Sequence, residues 1–203
     1  MRSSSPYADI SADMFPVQRL LRWEKECPRK VFLTQPLSGG AVQEITWGQA
    51  GQEVRRMATY LKEQQWPEGS RIAIYGKNSA QWILADLAIW MAGHVSVPIY
   101  ATVNASTLNY ILMHGEVRAC FIGKLDDWSK QRSGLPDDVK GISYPLWTEQ
   151  GYENWNDIIA KTEPYKENYV PVLQFSLSLS RRSCPNRNTK TTSSSRTKSP
   201  HLA

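Results

Sequence analysis

The clearest local signal for chemistry is a short polar stretch between a predicted strand and a predicted helix. Lys77-Asn78-Ser79 follows an apolar run at residues 71–75 and precedes an apolar helical stretch. Anions bind at such helix starts in α/β proteins, because the first backbone N–H groups have no acceptor within the helix. No Gly-x-Gly-x-x-Gly pattern accompanies the stretch. Capping by Asn78, with Gln81 as its capping-box partner, is therefore the preferred interpretation, and anion binding is the alternative.

Other residue types that perform acid–base or metal chemistry are scattered. Two carboxylate pairs fit turns and solvent-facing positions, and acid–base work would require a cleft that the sequence does not indicate: Asp126-Asp127 and Asp137-Asp138. Three histidines lie far apart, without the spacing of metal ligands: His94, His114 and His201. We therefore assign no catalytic, cofactor-binding or metal-binding residue from these patterns.

The elements around residues 69–100 predict the core of the fold. Residues 71–75 form a short apolar run that indicates a buried strand, and residues 80–92 contain only Gln81 and Asp86 as polar positions. Gly93 is placed to end this helix in a left-handed conformation, and residues 95–100 predict a second strand. Strand, helix and parallel strand form a βαβ unit whose sheet must be covered on both faces.

The remaining elements extend this unit. Pro16 starts an amphipathic helix, two β-type runs at 31–34 and 42–46 predict a hairpin, and Thr46 with Gln49 predicts a capping box before the next helix. Further along, Asn104 or Ser106 caps a helix. The final elements are predicted as follows: strands at 119–122 and 142–146, a helical turn at 125–128 and a short helix at 155–160. The sequence predicts an α/β fold with a partial doubly wound, mostly parallel sheet, an N-terminal helix and a β-hairpin.

The last 28 residues differ from the rest in composition. Residues 176–203 contain six basic residues, twelve Ser or Thr and no acidic residue or Gly, whereas the preceding body has 18 basic and 19 acidic residues. The net charge of +5 therefore comes from this basic tail, which we expect to be disordered. Arg181 and Arg182 could contact nucleic acid or an anionic membrane surface, but no aromatic residues are interleaved with them. We favour a tail that binds no nucleic acid.

Cysteine usage and the first residues indicate a cellular location. The three cysteines are odd in number and widely spaced, which favours reduced thiols: Cys27, Cys120 and Cys184. Residues 1–14 lack the apolar core of a secretory signal and are expected to be flexible. We therefore expect a cytoplasmic protein.

Four segments together carry a family resemblance. In chain order they are ITWGQAGQEVRRMATYLKEQ, GSRIAIYGKNSAQWILADLAIWMAGHVSVPIYATVNASTLNYIL, CFIGKLDDW and YENWNDIIAKTEP. Their order and spacing resemble the N-terminal part of the AMP-forming acyl-CoA synthetases, and most of all the long-chain fatty acid CoA ligases. The resemblance makes residues 15–175 an incomplete N-terminal portion of the AMP-binding synthetase domain. It implies ATP-dependent adenylation of a fatty acid followed by thioester formation with CoA in the presence of Mg²⁺.

The chain also departs from this family. Its members carry a Ser/Thr/Gly-rich phosphate loop shortly after the position of Val170, whereas no glycine follows Gly151 in this chain. A phosphate-cradling loop needs glycine so that backbone N–H groups can converge on the anion. The family's later adenine-binding, ribose-binding and catalytic lysine motifs also have no match. We therefore expect an inactive fragment that binds ATP, CoA and Mg²⁺ weakly, with a reading-frame shift as one explanation of residues 176–203.

Two further hypotheses complete the sequence analysis. A non-catalytic α/β interaction module could pair with another chain, or with its own copies, through exposed apolar surface. Trp82 and Trp90 could line an acyl tunnel, although aromatic residues of this size more often belong to a core. Peripheral contact with a membrane is a further expectation.

Overall fold

The computed structural model describes residues 12–149 and 151–166. The strands are, in chain order, β1 (Val31–Pro36), β2 (Val42–Thr46), β3 (Arg71–Tyr75), β4 (Val95–Ile99), β5 (Val117–Ile122), β6 (Lys140–Ser143) and β7 (Glu153–Asn154). The α-helices are α1 (Pro16–Glu26), α2 (Trp47–Glu63), α3 (Ala80–Met91), α4 (Ala105–His114), α5 (Trp128–Gln131) and α6 (Trp155–Lys161). Short 3-10 turns occupy Ala12–Met14, Ser38–Gly40 and Arg132–Gly134.

Strands β3 to β7 form one parallel sheet, and β1 and β2 form a separate antiparallel hairpin. The order in the sheet is β4-β3-β5-β6-β7. β3 lies between β4 and β5, with Ile74 in register with Pro98 on one side and with Phe121 on the other. The predicted α/β class, with a mostly parallel sheet, an N-terminal helix and a hairpin, is confirmed.

Both faces of the sheet are buried, which makes the fold doubly wound. Ile72 and Ile74 of β3 point into a core closed by α1, α2, α3 and α6. Ala73 and Tyr75 point to the opposite core, closed by α4 and α5. Because each residue of β3 after Arg71 meets one of these cores, the strand shows a continuous apolar run rather than an alternating pattern.

Local sequence signals explain most helix ends. Thr46 Oγ1 accepts a hydrogen bond from the Gln49 backbone N–H at 3.3 Å, and the Gln49 side chain accepts one from the Thr46 N–H at 2.9 Å. This capping box starts α2 as predicted. Pro16 stands at the first turn of α1, and Gly93, which follows the C-cap residue Ala92 of α3, has a φ of 82°. The φ of Gly93 lies in the left-handed region that glycine adopts without steric cost.

Other predicted boundaries differ from the structure. Ser79, rather than Asn78, caps α3, because its Oγ accepts from the Trp82 N–H at 3.2 Å. The helical turn predicted at 125–128 begins only at Trp128, and the strand predicted at 142–146 is β6. β7 was not predicted, because two residues are too few to show a period.

The structure describes only a small part of the predicted N-terminal segment and none of the predicted C-terminal tail. Residues 12–14 form one 3-10 turn. Residues 1–11 and the predicted tail at 176–203 lie outside the described residues. Among the helices of the described part of the chain, none combines the length and the apolar character needed to cross a membrane.

Candidate functional site

The carboxyl edge of the sheet between β3 and β5 is the place where the topology favours a ligand. β3 connects to β4 on one side, whereas β5 connects to β6 on the other, which makes this position a topological switch point. At this position the space between the ends of β3 and β5 is occupied by backbone atoms. A Cβ atom on Gly76 would lie 2.7 Å from the Cα of Gly123, and the Lys77 N–H donates to the Lys124 carbonyl at 2.9 Å. The two strand ends are therefore in direct contact.

Lys77, Asn78 and Ser79 lie beside this contact, at the start of α3. Lys77 Nζ forms a 2.6 Å ion pair with Asp126, and both side chains are exposed. Ser79 caps the helix, while the Ala80 N–H donates to the side-chain oxygen of Gln35 at 2.8 Å. Protein acceptors therefore occupy the N–H groups of Ala80 and Trp82. These contacts show that the stretch caps α3, but through Ser79, so the predicted capping box of Asn78 and Gln81 is wrong.

A cleft separates the start of α3 from the hairpin, and we call it the hairpin cleft. Its volume is about 420 Å³, and its wall combines apolar and polar side chains. It is lined by Leu33, Thr34, Gln35, Pro36, Asn78, Ser79, Ala80, Trp82 and Ile83. Trp82 thus borders the hairpin cleft. Trp82 and Trp90 are both partly buried and pack against the core that contains Ile72 and Ile74.

The other titratable residues singled out from the sequence are not brought together. Asp126 pairs with Lys77 and Asp127 with Lys130 at the surface, and the second acidic pair is also exposed. His94 is buried, which lowers the pKa of its imidazole, although a hydrogen bond to the Leu61 backbone works in the opposite direction. Among the described residues, no three His, Cys, Asp or Glu side chains are grouped so that they could hold a metal ion.

The remaining histidines and cysteines have no shared site. His114 is exposed and stacks on Tyr110, with the ring centres 5.4 Å apart. Cys120 is fully buried, and burial raises the pKa of its thiol to about 12, so it stays protonated and unreactive. Cys27 is half-buried. Four of the residues discussed above lie outside the described residues: Arg181, Arg182, Cys184 and His201.

A comparison with known families decides the identity of this fold. The sequence profile described as "AMP-binding enzyme" matches residues 20–190, which is most of the chain. The chain belongs to the AMP-binding enzyme family.

Several individual proteins are similar in sequence to part of this chain. Long chain acyl-CoA synthetase 1 of Arabidopsis thaliana is 30% identical over 112 residues, covering 55% of this chain and 16% of that protein. The long-chain-fatty-acid–CoA ligase FadD15 of Mycobacterium bovis is 30% identical over 98 residues, covering 48% of this chain and 16% of that protein. The chain thus corresponds to a small part of the length of the curated relatives it matches.

Solved structures support the fold. An anthranilate CoA ligase, AuaEII, in complex with anthranoyl-AMP superimposes with a TM-score of 0.60 at 21% identity, covering 80% of this chain and 32% of the other. A benzoate CoA ligase from Burkholderia xenovorans gives a TM-score of 0.61 at 18% identity, covering 74% of this chain and 29% of the other. At this identity the likeness establishes the fold alone.

One polar cluster of this AMP-binding family member gave no signal in the sequence. Glu153 of β7 accepts a hydrogen bond from the Tyr60 hydroxyl at 2.5 Å and forms an ion pair with Lys140 Nζ at 2.8 Å. Lys140 also donates to the Gln64 side-chain oxygen at 2.9 Å and lies 5.1 Å from the centre of the Tyr60 ring. We call these four residues the Glu153 cluster. Because 93 residues separate Tyr60 from Glu153, no local pattern could have revealed it.

The Glu153 cluster changes the acidity of its members. Burial raises the pKa of the Tyr60 hydroxyl, and the neighbouring Glu153 carboxylate raises it further. Burial also acts to raise the pKa of Glu153, but hydrogen bonds from Lys140 and Tyr60 outweigh it and hold that pKa below its usual value. Glu153 is therefore a carboxylate, and Tyr60 a neutral phenol, at neutral pH.

Proposed function

We propose that this chain supplies the N-terminal part of a long-chain fatty acid–CoA ligase domain, whose reaction joins a fatty acid to CoA through an acyl-adenylate. The observation that carries the proposal is the match of residues 20–190 to the AMP-binding enzyme family. Long-chain acyl-CoA synthetases among the relatives point to a fatty acid as the substrate class. ATP, CoA and Mg²⁺ would be the other participants in this reaction.

The chain by itself is proposed to lack ligase activity. A triphosphate with Mg²⁺ requires converging N–H groups and carboxylate ligands. The start of α3 does not fit that group, because the first-turn N–H groups of Ala80 and Trp82 already have protein acceptors. No glycine follows Gly151 that could build a phosphate loop. We therefore assign no step of adenylation to the side chains of this chain.

An activity assay tests this statement directly. The purified chain is incubated with ATP, Mg²⁺, CoA and a long-chain fatty acid, and AMP is quantified. We expect no AMP above the level of a reaction without fatty acid. Fatty-acid-dependent AMP formation by this chain would contradict the proposed inactivity, because it would require a complete adenylation site.

A chimera tests the proposed family role separately. Residues 20–166 replace the aligned segment of an active long-chain acyl-CoA synthetase, and AMP formation is measured with long-chain fatty acids. We expect a folded chimera that retains activity, because the replaced segment builds the same sheet. A folded but inactive chimera would contradict the role as a ligase segment. As a control, the same segment is replaced by the corresponding segment of a second active long-chain synthetase. This second chimera shows whether the chosen fusion points by themselves reduce activity.

A non-catalytic interaction module is the second candidate function. It is favoured by apolar side chains that remain exposed on α4 and β4, where Tyr110 is 65%, Met113 54% and Val95 48% accessible. A module that pairs with its own copies would cover such groups. Sedimentation velocity distinguishes the interaction module from the ligase fragment. A defined dimer or larger oligomer would favour the module, whereas undefined aggregation or a monomer would not.

The cellular setting remains part of the proposal. We propose a cytoplasmic location, with contact to the membrane surface where long-chain fatty acids partition, and no nucleic-acid partner. The near balance of 18 basic and 19 acidic residues before residue 176 supports the last point. Fractionation of cells expressing the chain, with a salt wash of the membrane pellet, measures the division between cytosol and membrane.

A further inference from the structure

The last strand of the sheet is held by little backbone pairing. β7 has only two residues, and its register pairs are Ile142 with Glu153 and Ser143 with Asn154. A strand this short contributes few ladder hydrogen bonds. Its attachment to the sheet therefore depends on side-chain contacts.

Two of those side-chain contacts meet at one carboxylate, and a third is the bond from the Ser143 hydroxyl to the Glu153 carbonyl at 3.2 Å. The two oxygens of Glu153 are engaged separately: Oε2 accepts from the Tyr60 hydroxyl, and Oε1 faces Lys140 Nζ. Tyr60 belongs to α2 and Lys140 to β6, so Glu153 ties β7 to two elements at once. The side chain of Glu153 is 47% accessible and that of Lys140 is 32% accessible. A proton from solvent can therefore reach the pair without prior unfolding.

The charged groups that act on this carboxylate from neighbouring elements favour its ionised form, and so does the hydroxyl of Tyr60. Tyr60 contributes a hydroxyl donor from α2, Lys140 an ammonium from β6, and Lys161 a more distant positive charge from α6. Glu53 is the other carboxylate of α2 at this interface, and it accepts a hydrogen bond from Trp155 Nε1 at 3.1 Å. Two acids therefore contact this part of the chain: Glu153 lies on β7, and Glu53 of α2 contacts the first residue of α6.

We propose that Glu153 is an acid-sensitive clasp: protonation of its carboxylate releases β7 from α2 while the rest of the sheet stays folded. Protonation removes the charge that attracts Lys140 and leaves a weaker acceptor for the Tyr60 hydroxyl. Lys140 keeps its hydrogen bond to Gln64, so the donor side of the cluster remains in place. The part that opens is β7 alone, because Trp155 at the start of α6 is fully buried in the core.

The sign of the pH dependence follows from the lowered pKa of Glu153. A group whose pKa is lower in the folded state stabilises that state at pH values above its unfolded pKa, and the stabilisation is lost as pH falls through the folded pKa. The clasp is therefore closed at neutral pH and opens below the usual pKa of a glutamate, 4.5. Glu53 acts in the opposite direction, because burial raises its pKa.

Hydrogen exchange of the full chain, measured by mass spectrometry, tests the clasp. Protection of a peptide spanning residues 151–162 is normalised to intrinsic exchange at each pH. We expect the protection of the β7 amides within this peptide to fall about two- to fivefold between about pH 7 and about pH 2.5, because the contact is partly exposed to solvent. Protection of β3 should stay constant in the same samples. Unchanged protection of residues 151–162 over this range would overturn the proposal.

Three variants separate the clasp from a general loss of stability. Glu153→Gln should show the low protection at neutral pH and no further fall in acid. Lys140→Gln removes the ammonium that lowers the pKa of Glu153, so the midpoint of the response should move to higher pH. Glu53→Gln is the matched control at the same interface: it removes the acid with the opposite pH dependence and should keep a fall of protection in acid. An unmoved midpoint in Lys140→Gln, or a lost response in Glu53→Gln, would also overturn the proposal.

Discussion

At the scale of single residues, two glycines close the carboxyl edge of the sheet. Gly76 follows β3 and Gly123 follows β5, and the Gly123 N–H donates to the Tyr75 carbonyl at 2.8 Å. Many α/β proteins bind a ligand at such a switch point. Here the absence of side chains lets the backbones meet, so the edge contributes to the stability of the sheet.

Replacement of Gly76 by alanine tests this role. The new Cβ would lie 2.7 Å from the Cα and 2.9 Å from the N of Gly123, so two backbone segments would have to separate. We expect the free energy of unfolding in urea to fall by about 1–3 kcal/mol. The exposed helix position Ser129→Ala is the control and should change it by less than about 0.5 kcal/mol. Equal stability of the two variants would show that the strand ends move apart freely.

Glu53 gives a prediction about pH. Burial raises its pKa, although the bond from Trp155 works in the opposite direction. The native state therefore favours the protonated acid, and ionisation destabilises the fold at pH values above the folded pKa. Glu53→Gln keeps an acceptor for Trp155 without a charge. We expect a higher melting temperature than wild type at neutral pH.

The difference in melting temperature between Glu53→Gln and wild type should shrink as the pH falls, because wild-type Glu53 then becomes neutral as well. Thermal melts followed by circular dichroism at several pH values measure it. The exposed Glu44→Gln on β2 is the control and should follow wild type throughout. A lower melting temperature for Glu53→Gln at neutral pH would show that the charged bond to Trp155 outweighs the cost of burial.

At the scale of elements, β4 forms a free edge of the sheet among the described residues. The Val95 N–H donates inward to the Ser70 carbonyl at 2.9 Å. Because N–H groups alternate sides along a strand, the nitrogen of Pro98 faces outward, where it has no hydrogen to donate. Pro98 thus interrupts the row of outward donors and opposes pairing with another strand.

The substitution Pro98→Val should allow β4 to pair with a strand of another copy of the chain. Valine restores an outward N–H and favours β structure, so we expect stronger concentration-dependent self-association in sedimentation velocity than for wild type. Pro98→Lys also restores the N–H but places a charge on the edge, and it should sediment like wild type. Identical behaviour of all three proteins would show that Pro98 does not protect the edge.

The elements that sequence predicted well are those with local signals. The capping box of Thr46 and Gln49, the apolar run of β3 and the left-handed Gly93 each depend on neighbours in the chain. Contacts between distant residues could not be predicted in this way. Gln35 reaches the start of α3 across 45 residues, and this contact leaves the first turn of α3 with acceptors that the local sequence does not show.

At the scale of the whole molecule, the buried residues and the net positive charge lie in different parts of the chain. The buried residues of both described cores lie between Val17 and Ile158. All the net positive charge, in contrast, comes from residues 176–203, which have no acidic residue. The basic character of the chain therefore describes its last 28 residues and not the sheet.

Deletion of residues 176–203 tests this division. Their composition offers little apolar surface to bury, so the melting temperature should change by less than about 2 °C. Retention on a cation exchanger should fall sharply, because the remaining residues carry nearly balanced charge. Truncation after residue 154 is the contrasting variant. It removes the fully buried Trp155 and should abolish cooperative unfolding. A large loss of stability in the first deletion would show that residues 176–203 pack against the fold.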